Sequence, residues 1–308
     1  MTVAQTPERV RPEPIKAVPV RRTGQWVSAA VVIALLGTLV YAVATNDNIQ
    51  WSVVGDFLFN PQILRGGVTT IELTVLSMLL GVVLGVVLAV MRLSRNPVLR
   101  YVSAGYLWLF RGTPVLVQIV LWFNLGLIFP RLGIGGFSAE TNALISAFTA
   151  ALLALALNEA AYMAEIVRGG ILSVDKGQTE AAQALGLTGG KTMRRIVLPQ
   201  AMRVIVPPTG NEVITMLKTT ALVSAIGAKD LFTEAQFYGS RNFTTFEMLI
   251  VASFWYLVLT TVLTFAQGRL EQRFARGTSH GASAGRGFLA RLGGNLRPGR
   301  ITNEGAAR

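Results

Sequence analysis

The chain has no cysteine and a single histidine, His280. The first absence removes disulfide frameworks and thiolate metal sites. The second leaves no histidine cluster for metal binding or nucleophilic catalysis, since His280 stands alone in a Gly/Ser/Ala-rich stretch. Charge is scarce too: 14% of the 308 residues are Asp, Glu, Lys or Arg and 52% are hydrophobic, against about 25% charged in a soluble domain. That balance points to a membrane protein. A complete phosphate loop is also missing. Gly189-Gly190-Lys191-Thr192 resembles its end, but the motif needs a glycine at the position of Leu185, and the available one is Gly186. The preceding Thr179–Leu185 stretch is rich in Ala and Glu and reads as helix, where a phosphate loop follows a strand.

What the chain has in abundance is long apolar runs. Roughly 20 residues at 1.5 Å rise cross a ~30 Å hydrocarbon core, and six stretches qualify: Trp26 to Ala44, Gly66 to Met91, Leu107 to Phe129, Ala143 to Ile166, Pro208 to Ala228, and Phe246 to Gln267. The third holds Arg111 near its start and the fifth holds Glu212 and Lys218. The expected fold is therefore an all-α, polytopic membrane protein of six helices. Ala42-Val43-Ala44 fits a small-x-small cleavage pattern, but the polar lead of residues 1–25 and the apolar run after it both exceed a signal peptide, so an uncleaved helix is expected.

The net charge of +12 is sorted by loop. Arg9, Arg11, Lys16, Arg21 and Arg22 precede the first run. Arg92, Arg95, Arg100 and Arg111 lie between the second and third. Arg168, Lys176, Lys191, Arg194, Arg195 and Arg203 lie between the fourth and fifth, and an arginine-rich stretch follows the sixth. The other three connections hold only Arg65, Arg131, Lys229 and Arg241. The positive-inside rule then places both termini and the 170–203 segment in the cytoplasm. Charge spread over tails and loops suits contacts with anionic membrane lipids and argues against nucleic acid. Residues 1–25 and 271–308, polar and rich in Pro or Gly, read as disordered tails.

The segment between the fourth and fifth runs is helix-forming over Lys176 to Leu185, and Gly186 is placed to end that helix in the left-handed conformation. Thr188 can cap a second short helix through Arg195, and Pro199 is expected to stop it. Two short helices joined at a glycine make a protrusion suited to fit a groove on a partner.

Glu180-Ala181-Ala182, Gly186 and Ile196-Val197-Leu198-Pro199 resemble the E-A-A…G…I-x-L-P coupling motif of ATP-binding-cassette importer permeases. Arg111-Gly112-Thr113-Pro114-Val115-Leu116-Val117-Gln118, Ala161-Tyr162-Met163-Ala164-Glu165-Ile166-Val167-Arg168-Gly169-Gly170, Asn211 and Leu217-Lys218-Thr219-Thr220-Ala221-Leu222 look like the polar amino-acid branch of that family, over roughly residues 60–270. The residues 26–44 look like an extra helix, since many relatives have five spans. Gly189-Gly190 stands where relatives often carry larger residues.

The resemblance implies a non-enzymatic subunit in a bacterial cytoplasmic membrane that imports polar or charged amino acids by alternating access. Its partners would be a second permease or a copy of itself, an ATPase dimer holding ATP and Mg, and an extracytoplasmic amino-acid-binding protein. Glu180, Ala181, Ala182, Gly186, Arg194, Leu198 and Pro199 would couple to the ATPase. No cofactor would sit on this chain. An ion-coupled secondary transporter and a non-transporting scaffold are the alternatives; the first would show an inverted repeat, which the chain lacks.

Ionisable groups within spans are costly and usually face an aqueous pathway. Glu159 and Glu212 are expected to flank one cavity and meet an ammonium or cationic side chain, with Asn158 and Asn211 adding hydrogen bonds. An internal ion pair with Lys218 or a contact between permease subunits is the competing reading. Arg111 heads the Arg-Gly-Thr-Pro break and carries a planar fork suited to a carboxylate, or else anchors the inner membrane edge. Thr113 and Gln118 complete the candidate pathway set. Glu165 and Arg168 are expected to pin the coupling segment.

Overall fold

The computed structural model describes residues 23–134 and 137–275. The chain divides into two units, Met1–Gln50 and Trp51–Arg308, each described by itself. In the first, α1 spans Thr23–Ala44 and holds no charged residue. A helix apolar on every face is built for lipid or a deep core.

The second unit opens with the short α2 (Trp51–Leu58) and then α3 (Pro61–Leu93). Asn60 caps α3, its side chain accepting from the Gln62 N–H at 2.9 Å, with Pro61 in the first turn where no donor is required. Asn96 and Pro97 start α4 (Pro97–Gly112) by the same device. The predicted third span is not one straight helix. It is α4 followed by α5 (Val115–Phe123), bent by 100° at Gly112-Thr113-Pro114, because Pro114 forces Thr113 out of helical geometry.

A short α6 (Leu125–Ile128) leads to a feature the all-α expectation lacked, an antiparallel hairpin of β1 (Arg131–Ile134) and β2 (Phe137–Glu140) in which Arg131 faces Glu140. After α7 (Thr141–Leu144) comes α8 (Ala147–Leu172), capped by Ser146. The centre of the unit is α8. Its alanines Ala150, Ala151, Ala154, Ala160, Ala161 and Ala164 are all but fully buried, and small residues let helix backbones approach in a membrane. The facing side of α3 supplies Gly81 and Gly85: a methyl at Gly85 would lie 2.5 Å from Met163 Cβ and 3.0 Å from the Ala160 carbonyl.

The segment expected to couple to a partner begins with α9 (Lys176–Ala184), capped by Asp175. Gly186 adopts φ +75° as expected. Its N–H donates to Gln183 O and that of Leu187 to Ala182 O, the paired closure of a glycine-terminated helix. Thr188 precedes the second helix, α10 (Gly189–Thr192), but makes no side-chain cap bond. The expectation that Pro199 ends this helix is overturned. A π turn, Met193–Val197, carries the chain straight into α11 (Leu198–Thr219). The wider π turn opens the helix just before the proline, whose ring and missing N–H would break a tight α turn.

The fifth predicted span is likewise revised. Rather than running from Pro208 to Ala228, the helix begins at Leu198, keeps Pro207 and Pro208 in its interior, and tightens after Thr219 into a 3-10 turn, Thr220–Ile226, ended by Gly227 at φ +69°. Asp230 caps α12 (Leu231–Asn242), its side chain accepting from the Thr233 N–H at 2.8 Å, and α13 (Thr245–Ala275) completes the described residues. The predicted disordered tails lie outside the described residues except where α1 and α13 reach into them, at Thr23 and Ala275.

Among the described residues four helices are long and apolar enough to cross a membrane: Gly24–Ala44, Pro61–Leu93, Ala147–Leu172 and Thr245–Phe274. The bent pair α4 and α5 makes a fifth if it acts as one span.

Candidate functional site

A cavity of about 570 Å³ opens where three elements meet. From α8 it takes Leu155, Asn158, Glu159 and Tyr162; from α11 it takes Glu212, Thr215, Met216 and Thr219. Both sets follow the i, i+3, i+4, i+7 spacing that puts side chains on one helix face. The third wall is the break itself, Arg111 to Val115. Five of the expected pathway residues, Arg111, Thr113, Asn158, Glu159 and Glu212, are thereby brought together.

Glu159 is the most unusual of them. It is 4% exposed, packed against Gly81 of α3, and its Oε1 has no hydrogen-bond partner. A buried carboxylate oxygen left unpaired carries a desolvation cost of roughly 1–3 kcal/mol or more. Arg111 offers the opposite charge; its guanidinium carbon lies 5.2 Å from the Tyr162 ring centroid.

Gln118 stands behind the wall rather than in it. Only 6% exposed, its Nε2 donates to Thr113 Oγ1 at 2.8 Å, to Phe110 O at 3.0 Å and to Thr113 O at 3.1 Å. Asn158 Nδ2 donates to Phe110 O at 2.9 Å and to Gln118 Oε1 at 3.2 Å. These two amides satisfy the carbonyls that the 100° bend strips from the end of α4.

Two expected pathway residues lie elsewhere. Asn211 faces α13, its Oδ1 accepting from Gln267 Nε2 at 2.9 Å. Lys218 lines a separate cleft of about 280 Å³ with Phe232 and Tyr256. The helix explains both: at 100° per residue, Asn211 is turned ~100° and Lys218 ~240° from Glu212. Among the described residues Lys218 forms no ion pair with either glutamate; the ion pair there is Arg168 to Glu165 at 2.7 Å. It lies within α8, one turn apart.

At the other end of α11, Glu180 and Ala181 are exposed while Ala182 is buried beneath them. Arg194 lines an open basic pocket of about 620 Å³ with Lys191, Arg195, Thr188 and Gly190. Leu198 and Pro199 are exposed beyond it. Gly189 to Thr192 form a helical turn with no strand before it, so the near-miss phosphate loop has neither the spacing nor the setting of one.

Sequence reasoning missed Tyr162, Thr215 and Thr219 as wall residues. Helical spacing from Glu159 and Glu212 was the signal that could have found them.

Residues 81–276 match the family described as "binding-protein-dependent transport system inner membrane component". The chain belongs to this family. The permease is 46% identical over 276 residues to the arginine transport system permease protein of Corynebacterium glutamicum, covering 89% of this chain and 87% of that one. It is 38% identical to the L-cystine transport system permease protein of Bacillus subtilis, covering 76% and 95%. Among solved structures it matches an amino acid ATP-binding-cassette transporter with a TM-score of 0.62 and 39% identity, over 70% of the permease and 95% of that chain. A methionine transporter at 23% identity and a TM-score of 0.56 shares the fold.

Proposed function

We propose that this permease carries cationic L-amino acids, with L-arginine the leading candidate, into the cell by alternating access. The observation that carries the reading is a cavity walled by Glu159, Glu212 and Arg111, in which Glu159 is buried with its Oε1 left without a protein partner. Two carboxylates suit a substrate with two cationic groups, and one guanidinium suits its carboxylate. Arginine permeases of Corynebacterium glutamicum and Bacillus subtilis among its relatives support the same substrate class.

In this reading the chain crosses the membrane six times, with α11 and its 3-10 extension as the least apolar span, and both termini are cytoplasmic as the lysine and arginine distribution argues. ATP and Mg sit on a partner ATPase dimer, which grips α9 and α10 through Glu180 and the Gly186 corner. A second permease subunit and an extracytoplasmic binding protein complete the assembly, and anionic lipids contact the basic loops.

The test is equilibrium binding of radiolabelled L-arginine to the assembled permease and ATPase complex without binding protein. Glu159→Gln and Arg111→Leu are each expected to weaken binding tenfold or more. Unchanged affinity in both would overturn the cavity as the substrate site. Uptake that persists when the ATPase's phosphate-loop lysine is replaced would overturn ATP-driven transport.

A further inference from the structure

Arg111 sits in the last turn of α4, immediately before the break, where no further helical turn packs around its long side chain. Holding such a side chain in one orientation costs up to about 2 kcal/mol of rotamer entropy, so an unsupported arginine would be a poor receptor. Its guanidinium carbon lies over the Tyr162 ring, 5.2 Å from the centroid, and Glu165, one turn further along α8, is near enough to feel its charge. Both residues line the 570 Å³ cavity.

We propose that Tyr162 is a positioning residue for Arg111, its ring holding the guanidinium so that the hydrogen-bonding edge is presented to the carboxylate of an amino acid in the cavity. This rests on the cavity being the substrate site. A guanidinium held over a ring, with no salt bridge among the described residues, keeps N–H groups for a bidentate carboxylate that an ion pair within the protein would have consumed. Tyr162 also lies three residues from Glu159 on the same face of α8, ~4.5 Å along the axis. The carboxylate receptor and the ammonium receptor are therefore neighbours, as the two charged groups on one α-carbon are. Glu212, on the opposite wall, is left for a cationic side chain.

The experiment uses the assembled complex without binding protein and compares L-arginine with L-argininamide, which lacks the carboxylate. Tyr162→Phe and Tyr162→Trp retain a ring and are expected to bind L-arginine within about threefold of the parent. Tyr162→Leu is expected to weaken L-arginine binding by roughly 5- to 30-fold, from the upper end for an exposed cation–π contact to that for one desolvated by bound substrate, and to leave L-argininamide unchanged. Equal weakening of both ligands would reduce the ring to packing and overturn the proposal. Replacing Tyr162 with mono-, di- and trifluorinated phenylalanine keeps the shape while draining the ring's electron density. Affinity for L-arginine should then fall stepwise, and a flat series overturns the proposal even if Tyr162→Leu fails to assemble. If Arg111→Leu and Glu159→Gln both leave L-arginine binding intact, it is the substrate site that fails; if Arg111→Leu alone leaves it intact, Arg111 is no carboxylate receptor and the proposal falls while the site stands; if Arg111→Leu weakens binding and the Tyr162 variants do not, only the role of Tyr162 fails.

Discussion

The side-chain amide of Asn158 in α8 donates to the side-chain carbonyl of Gln118 in α5 at 3.2 Å, while both amides also donate to the carbonyl of Phe110 at the end of α4. One joint thus holds three helices around a 100° bend. Gln118→Leu would leave Phe110 O with Asn158 as its side-chain donor, strip the Gln118 donor from Thr113 O and Oγ1, and take from Asn158 its Gln118 Oε1 acceptor; a buried polar group left unpaired costs about 1–3 kcal/mol. We expect Gln118→Leu to lower the melting temperature of the detergent-solubilised transporter by several degrees and to abolish most uptake. Gln118→Glu, of the same shape but without the donors, should behave like the leucine variant. A melting temperature within a degree of the parent for both would show that the joint does not hold the bend.

The seam between α3 and α8 gives a second prediction. A methyl added at Gly85 meets Met163 Cβ and the Ala160 carbonyl, backbone that has little room to move. Overpacking of this kind costs typically about 1–3 kcal/mol, so Gly85→Ala should destabilise the permease measurably in thermal unfolding. Met163→Gly alone leaves a cavity, yet combined with Gly85→Ala it removes the Cβ that the new methyl meets and should recover part of the loss. Strictly additive destabilisation in the double variant would contradict direct contact between the two positions.

Much of this site was readable before the fold was known. Glu159 and Glu212 announced themselves as carboxylates inside apolar runs, and their helical spacing leads to the walls of one cavity. Gly186 was legible because a glycine after a helix-forming stretch has few other uses. The prolines misled. Pro199 reads as a stop, but the π turn before it absorbs the missing donor, and Pro207 and Pro208 obscured the true start of α11 at Leu198. The bend at Gly112-Thr113-Pro114 was hidden by the continuity of the apolar run, since hydropathy registers depth in the membrane and carries no information on direction. Asn211 and Lys218 share the neighbourhood of Glu212 in sequence but not its azimuth, and one turn of α11 separates their roles.

Gly186 tests the coupling segment. Its φ of +75° is a conformation in which an L side chain is strained by roughly 1 kcal/mol, although a methyl there would touch nothing. Gly186→Ala should therefore assemble but transport less arginine per ATP hydrolysed, and Gly186→Asn, which tolerates the left-handed region, should lie between. Measured in proteoliposomes with binding protein present, an unaltered ratio of uptake to hydrolysis in Gly186→Ala would show that the corner's geometry does not matter to coupling.

The interior prolines of α11 make the last prediction. Pro207 and Pro208 lack the N–H groups that would donate to the carbonyls of Arg203 and Val204, so the helix that joins the coupling segment to Glu212 is weakened between the two. Across from this gap, Gln267 of α13 packs against Gly210 and donates to Asn211 at 2.9 Å and to Glu271 at 2.7 Å, bracing α11 just past the prolines. A helix soft below a braced point bends there. Replacing both prolines with alanine should restore two backbone hydrogen bonds and stiffen the bend, raising the melting temperature while slowing uptake several-fold at unchanged L-arginine affinity. Gln267→Leu should act in the opposite sense on stability, because it removes the brace and leaves Asn211 and Glu271 without their donor. If the double alanine variant transports at the parent rate, flexibility at these prolines contributes nothing to turnover and α11 moves as a rigid rod.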